Sequence, residues 1–381
     1  MNNAMTIWTM VMWVLLPVLV TVSVAVAPWV TDRREVFGVT VPPSAFADER
    51  ILGLRRNYAA SVGCLGGMFV LASLGVWRGF GLTAALWVVS LASVLITVIG
   101  FVRLQRCRRE VLAIKAERGW RADAGSRCIA VIDGSLPKPL SPWWDLVYVA
   151  IIAATVAVGY LGYDGMPQRV PMHTDMAGVV DGWADKSPLV IWFAPAYELV
   201  LAIVMTIAHI AILNAKRPID PRRPMDSAWG YAVMMRAWSV YTLIVGVVVT
   251  LGIGMAVQLG VLGLVPLGAV GLIGMLVAVL ALVGCLVVAL FYGQNGSRLV
   301  ERDGSAAGEM DGSDADDDAM SYDDDRYWCW GVLYVNRDDP AVWVPKRFGV
   351  GWTVNLARPS VWVGIVALIV LSVAGITLPL M

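Results

Sequence analysis

Apolar residues in this chain fall in long blocks rather than at the short spacings of soluble strands or amphipathic helices. Eight of the blocks reach spanning length: Ile7–Val30, Tyr58–Trp77, Phe80–Val102, Trp144–Tyr160, Leu189–Leu213, Trp238–Val257, Val261–Tyr292 and Val361–Leu380. A bilayer's hydrocarbon core is about 30 Å thick and a helix rises about 1.5 Å per residue, so each block can cross it once. The pattern predicts an all-α polytopic membrane protein with eight transmembrane helices. Pro266 near the start of the seventh block predicts a tilted or broken entry. The first block is too long for a signal peptide's apolar core and has neither a basic leader nor a small-x-small cleavage site, so it is expected to stay in the mature chain.

The polar intervals carry their own patterns. After the first block, Val36-Phe37-Gly38-Val39-Thr40-Val41 closed by Pro42-Pro43 predicts one short strand, and Phe46–Arg56 reads as a helical lead into the second block. Arg103, Arg106, Arg108 and Arg109, interspersed with Leu104, Val111, Leu112 and Ile114, predict that the third helix continues beyond the membrane. Its basic face would be solvated or lie near anionic headgroups. Glu301–Asp325 holds eleven acidic residues among Gly, Ser and Ala, which predicts a disordered linker; it lacks the terminal Glu of a calcium-binding EF-hand loop. In Tyr327–Pro359, Trp328, Trp330, Val332 and Tyr334 recur at period two, Asn336–Pro340 supplies a turn, and extended patterns resume at Val342–Val344 and Trp352–Leu356. Three short strands are implied. A sheet that small should pack on helix ends or on the Phe37-Gly38-Val39 strand.

Composition agrees with this solvent assignment. The chain is 58% hydrophobic and only 15% charged, which excludes an ordinary soluble domain, and its zero formal net charge argues against a nucleic-acid partner. Position matters more than the sum. The intervals after blocks one, three, five and seven hold 26 of the 29 Lys and Arg residues. By the positive-inside rule these intervals are cytoplasmic, giving a multi-pass plasma-membrane protein with both termini outside. None of the five cysteines falls in an external segment, so no disulfide framework is expected. Gly63-x-x-x-Gly67 in the second block would permit close helix packing.

The most informative interval joins blocks four and five, running from Met166-Pro167-Gln168-Arg169-Val170-Pro171-Met172-His173 through Thr174-Asp175 to Asp181-Gly182-Trp183-Ala184-Asp185-Lys186-Ser187. Two prolines keep it extended, Asp175 through Gly178 can turn it, and a small external hairpin is predicted, with Ser187 as N-cap of the fifth helix. The ordered set Pro167, Arg169, Val170, Pro171, His173, Gly178, Asp181, Trp183 and Lys186 resembles the signature of an uncharacterised domain that precedes the core of SdpI-type immunity proteins. Those are bacterial membrane proteins that protect against the sporulation-delaying toxin. Met166 stands where the pattern has Leu, and Thr174-Asp175 where it has an aromatic-Asn pair. The segment Tyr327–Pro359 is similar to a second uncharacterised domain of such proteins, through its aromatic-Gly start, its Asn336-x-Asp338-Asp339-Pro340 turn, Val344-Pro345-Lys346-Arg347-Phe348-Gly349 and Gly351-Trp352-Thr353-x-Asn355. Arg34 through Pro42 resembles the first loop of the same proteins.

Candidate chemistry is sparse. His173 sits among Arg169, Asp175, Asp181, Asp185 and Lys186, where it can pin the hairpin by a hydrogen bond or, with Trp183, form a surface for an external peptide; the spacing specifies no metal site. Inside the membrane Glu198 is the deeply placed ionisable group, and His209 eleven residues on lies within about 20° of the same helix face and roughly 16 Å deeper. They mark either a proton or ion path or a neutral acid bonded to a carbonyl freed by Pro195. No hydrolase elbow, zinc-binding His pair or phosphate loop is present in the sequence, so neither catalysis nor a cofactor is expected. Trp330, Asn336, Asp339, Lys346, Arg347, Trp352 and Asn355 are the cytoplasmic module's candidates for packing or partner contact. The expectation is a receptor or immunity-like protein that binds a peptide or envelope signal outside and couples to a regulator inside. A proton-coupled permease using the fifth helix is the alternative, and a scaffold subunit a third reading.

Overall fold

The computed structural model describes residues 3–122, 136–174, 180–220, 223–299, 320 and 322–377. Seven helices among them are long and apolar enough to cross a membrane: Thr6–Val30, Glu49–Phe80, Leu82–Arg118, Pro142–Gly162, Pro188–Leu213, Pro224–Val261 and Leu267–Leu299. The apolar helix Pro359–Val370 that follows is shorter. The chain therefore fits a multi-pass, mostly helical membrane protein with small β-hairpins. Large apolar side chains such as Leu71, Leu161, Val287 and Val366 are exposed on the outer surfaces of these helices, an arrangement that lipid satisfies and water does not.

Helices α1 (Asn3–Val30), α2 (Glu49–Phe80) and α3 (Leu82–Arg118) pack together as one bundle. Asp48 caps α2 by accepting from the amides of Arg50 and Ile51. At its other end α3 runs well past the apolar block and stops at Gly119, whose φ of +66° closes the helix with Trp120 N donating to the Lys115 carbonyl. The predicted glycine pair does not make the bundle contact. Gly63 and Gly67 face open space, whereas a Cβ on Gly66 would lie 2.2 Å from the Thr21 hydroxyl.

A second bundle holds α4 (Val147–Gly162), α5 (Phe193–Leu213), α6 (Pro224–Val249), α7 (Met255–Val261) and α8 (Leu267–Tyr292), and α8 packs on α1. One π-helical turn, Thr250–Gly254, joins α6 to α7 without a break. The expected start of the seventh apolar block is therefore corrected. Val261 ends the preceding helix, Gly263 at φ +73° and the Leu264 N to Leu259 O bond form its terminator, and Pro266 precedes α8. A continuous apolar run hides a turn made by one glycine and one proline.

All the short strands lie in the polar intervals. The first loop forms a two-residue hairpin, β1 (Glu35–Val36) with β2 (Val39–Thr40), rather than one strand, because Phe37 and Gly38 both take positive φ (49° and 74°). β3 (Arg169–Thr174) pairs antiparallel with β4 (Val180–Asp185) between α4 and α5. The C-terminal module has four strands, not three. β5 (Trp328–Cys329) pairs β6 (Leu333–Tyr334), and β7 (Trp343–Pro345) pairs β8 (Trp352–Val354). The period-two run Trp328–Tyr334 is broken at Trp330 and Gly331, whose φ values of 56° and 71° turn the chain back. The module then leads into α9 (Pro359–Thr377). The acidic-linker expectation falls largely on 301–319 and 321, outside the described residues, but its end is corrected: Asp323, Asp324 and Asp325 are held by Lys115 and Arg347.

Candidate functional site

Three polar assemblies stand out, one at each end of the second bundle and one inside it. At the β3–β4 end, His173 Nδ1 donates to Asp181 Oδ1 at 2.5 Å, and both side chains are exposed. The Arg169 guanidinium lies 5.8 Å from the Trp183 ring centre. These four candidates share one hairpin. Lys186 instead locks the hairpin base, its ammonium donating to the carbonyls of Asp164 and Met166 and sitting 4.9 Å from the Tyr163 ring. Asp175 and the turn lie outside the described residues. Ser187 accepts the Val190 amide through its carbonyl and makes no side-chain cap. Beneath the strands, Met166, Val170, Ile191, Val261 and Leu262 form a buried apolar foot that joins the hairpin to the helix ends.

Inside the bundle, α4 turns Tyr148, Ile151, Thr155 and Gly159 inward at three- and four-residue spacing, the buried stripe of a helix. Glu198 of α5 is fully buried, and its Oε1 accepts the Thr155 hydroxyl at 2.7 Å. The expected bond to a carbonyl freed by Pro195 is not the one made. Among the described residues Glu198 Oε2 has no hydrogen-bond partner, and neither has the side-chain amide of fully buried Gln258 on α7. Two glycines create the space: a Cβ on Gly254 would lie 2.0 Å from Glu198 Oε1, and one on Gly159 would lie 2.3 Å from Gln258 Nε2.

His209 faces inward as its spacing predicts, but its partner is Asp145, in the short 3-10 turn Pro142–Leu146 that opens α4. His209 Nδ1 donates to Asp145 Oδ1 at 2.9 Å, with both side chains buried. Beside this pair a groove of about 520 Å³ opens between α4 and α5, lined by Pro142, Trp143, Leu146, Val149, Leu199 and Ile203 among others.

At the end opposite β3–β4, the module binds both bundles. Phe37 stacks on Phe348 with ring centres 5.9 Å apart, and the two hairpin tips meet backbone to backbone: a Cβ on Gly38 would lie 2.6 Å from the Gly331 carbonyl oxygen. Arg108 of α3 donates to the Gly38 carbonyl. Arg347, almost wholly buried, faces the carboxylates of Glu35, Asp324 and Asp325 and donates to the Thr40 hydroxyl at 2.7 Å. Lys115 pairs with Asp323 and Asp325 at 2.7 Å, so the basic face of α3 is met by the chain's own acidic residues as well as by solvent. Burial pushes the Glu35 carboxyl up to about 7, with Arg347 pulling it down and Asp32 and Asp325 pushing it further up.

The remaining module candidates are mostly internal ties. Asn355 is fully buried, and its amide donates to the carbonyls of Asn336, Asp339 and Ala341. Asp339 accepts from the Tyr334 hydroxyl and from Lys216 beyond α5; burial works to raise it, but these bonds outweigh burial and hold it below the usual carboxylate range. Gln294, past α8, donates to the Lys346 and Gly351 carbonyls, and Trp352 Nε1 donates to the Tyr231 hydroxyl of α6. Trp330, 62% of whose surface is accessible, and Lys346 are the exposed members of this set.

Sequence reasoning missed Thr155, Asp145, Gln258 and Glu35. Thr155 and Gln258 are neutral residues in apolar blocks, where only their neighbours distinguish them from filler. Among the described residues no group of three or more His, Cys, Asp or Glu side chains could hold a metal ion.

Two family models match parts of the chain. One, described as a domain of unknown function (DUF1648), covers residues 150–198 and so includes Thr155, the β3–β4 hairpin and Glu198. The other, described as a family of unknown function (DUF5808), covers residues 337–362, the second half of the module. Neither the curated proteins nor the solved structures gave a match.

Proposed function

We propose that this protein is a non-enzymatic plasma-membrane receptor of the SdpI-associated type, which engages a peptide or envelope signal at the β3–β4 hairpin and passes it to a cytoplasmic regulator through the C-terminal module. In this reading α9 is the eighth span, both termini are outside, and the charged end of the bundles faces the cytoplasm. The 26 of 29 basic residues gathered in that end's intervals support the orientation.

One observation carries the proposal. The hairpin's second strand is joined to α5 through Lys186, Ser187 and the 3-10 turn Pro188–Trp192; α5 then runs unbroken to Leu213, about 31 Å at 1.5 Å per residue, and the chain just past it is fastened to the module. The Lys216 amide donates to the Trp343 carbonyl at 2.9 Å and its ammonium to Asp339 at 2.6 Å. In this reading a displacement of the hairpin passes through the Pro188–Trp192 turn and along α5 to β7. The exposed His173, Asp181, Arg169 and Trp183 offer charged and aromatic contacts of the kind that bind peptides.

The test uses the exposed thiol of Cys329 in β5 as reporter, with the other four cysteines replaced by serine, in full-length protein in lipid nanodiscs. An antibody fragment raised against the hairpin is the probe. Its binding should change the alkylation rate of Cys329 severalfold, and Lys216→Ala should abolish the change while leaving fragment binding intact. An alkylation rate that ignores a bound fragment would reject transmission along α5.

A further inference from the structure

The interior of the second bundle holds an arrangement that the receptor reading does not use. Thr155 and Gly159 are one turn apart on α4; Gly254 and Gln258 are one turn apart across the π turn and α7. Thr155 and Gly254 touch Glu198, and Gly159 touches Gln258. The carboxyl and the amide thus occupy successive layers about 6 Å apart along the bundle axis. Both are wholly buried, and Glu198 Oε2 and both polar atoms of the Gln258 amide lack partners among the described residues.

Among the described residues no cation faces this carboxyl. α4, α5, the π turn, α7 and α8 contain no Lys or Arg, and Arg236 of α6 reaches out to the Lys138 carbonyl at the charged end. The other ionisable groups of the packed helices are His209 and Asp145, which pair with each other roughly 15 Å away along the helices, Asp226 in the first turn of α6, Cys285 of α8, and tyrosines such as Tyr148 and Tyr197. An unpaired carboxylate at membrane depth costs several kcal/mol, and one hydroxyl with one amide provides too few oxygens to replace a metal ion's hydration shell. A proton removes the cost with the smallest occupant. Toward the hairpin the site is closed by apolar side chains: the Ile191 Cγ2 lies 2.3 Å from where a Gly159 Cβ would be, and Val170 and Ile191 are fully buried.

We propose that Glu198, with Thr155 and Gln258, forms an intramembrane proton-binding site whose access from the hairpin side is closed by the apolar foot of β3–β4. The proton adds to Oε2 while Oε1 keeps the Thr155 hydroxyl, so the buried acid is neutral whenever the foot is seated. Lifting the foot admits water and lets the acid exchange its proton. The site stands whether or not the hairpin binds a peptide, since it rests on side chains beneath it.

The test is infrared spectroscopy of the full-length protein in lipid vesicles at about pH 8, above the Glu35 value of about 7. The wild type should show the carbonyl-stretching band of a protonated carboxyl, absent in Glu198→Gln and shifted in Thr155→Val. In heavy water this band should exchange slowly, and severalfold faster in Val170→Ser. Absence of the band in folded wild-type protein overturns the site, as does its loss on adding sodium at constant pH, which would identify a metal-ion occupant. Equal exchange rates in wild type and Val170→Ser overturn the closure by the foot.

Discussion

Replacing Glu35 by glutamine removes a titrating group from the contact between the module and the first hairpin. Glu35 is 5% exposed, Arg347 Nε lies 3.5 Å from its Oε2, and the Tyr322 hydroxyl donates to Oε1 at 3.2 Å. Burial holds the carboxyl at about 7 against an ordinary 4.5, despite Arg347. The folded chain therefore holds this proton more tightly than the unfolded chain does. Its contribution to stability is complete below about pH 4.5 and is lost as pH rises through about 7. At roughly 1.36 kcal/mol per pH unit, the interval between those values corresponds to about 3 kcal/mol. Glutamine carries no proton to lose. Thermal unfolding of wild type and Glu35→Gln in nanodiscs, followed across this range, should show the variant gaining on the wild type with rising pH by up to that amount. The difference between the two curves isolates Glu35 from the other carboxyls. Asp32 works in the opposite direction: burial raises it, but Arg34 and Asn295 outweigh burial and hold it low, so its contribution is lost as pH falls. Parallel pH profiles for wild type and variant would refute the assignment of Glu35 as a buried, proton-retaining acid.

Other outcomes follow from the same geometry. Gly38→Ala should destabilise the module contact by about 1–3 kcal/mol, read by thermal unfolding, because the new Cβ would meet the Gly331 carbonyl and φ is +74°. Removal of Arg347 as Arg347→Met leaves Glu35, Asp324 and Asp325 facing one another, and a loss of about 3–5 kcal/mol at neutral pH is expected, smaller in acid, from the same unfolding assay. By contrast, His173→Ala should change stability by less than about 0.5 kcal/mol, since its pair with Asp181 is exposed, while weakening any hairpin-directed binding measured by titration. A membrane-impermeant maleimide should label Cys329 in inside-out vesicles and not in intact cells.

Much of the architecture was legible because apolar blocks and their proline and glycine punctuation are local features. The long apolar helices, the extended α3, the β3–β4 hairpin and the inward turn of Glu198 and His209 all follow from periodicity and length. Local patterns failed where one or two residues reverse the chain. Phe37-Gly38 and Trp330-Gly331 read as extended because alternation cannot reveal positive φ, and Gly263 was lost in an apolar run. The hairpin candidates meet two by two, His173 with Asp181 and Arg169 with Trp183, while Lys186 fastens the base.

The sequence by itself determined the long apolar segments and the polar intervals between them, parts of which families of unknown function overlap. It could not pair residues far apart in the chain. Only the tertiary structure brought Thr155 against Glu198, Asp145 against His209, and Arg347 into a pocket built from the first loop and the acidic segment's end. The reason is physical: a charge's cost in an apolar medium is fixed by its type, but its compensation depends on which groups packing delivers to it. For Glu198, packing supplies one hydroxyl and, among the described residues, no cation.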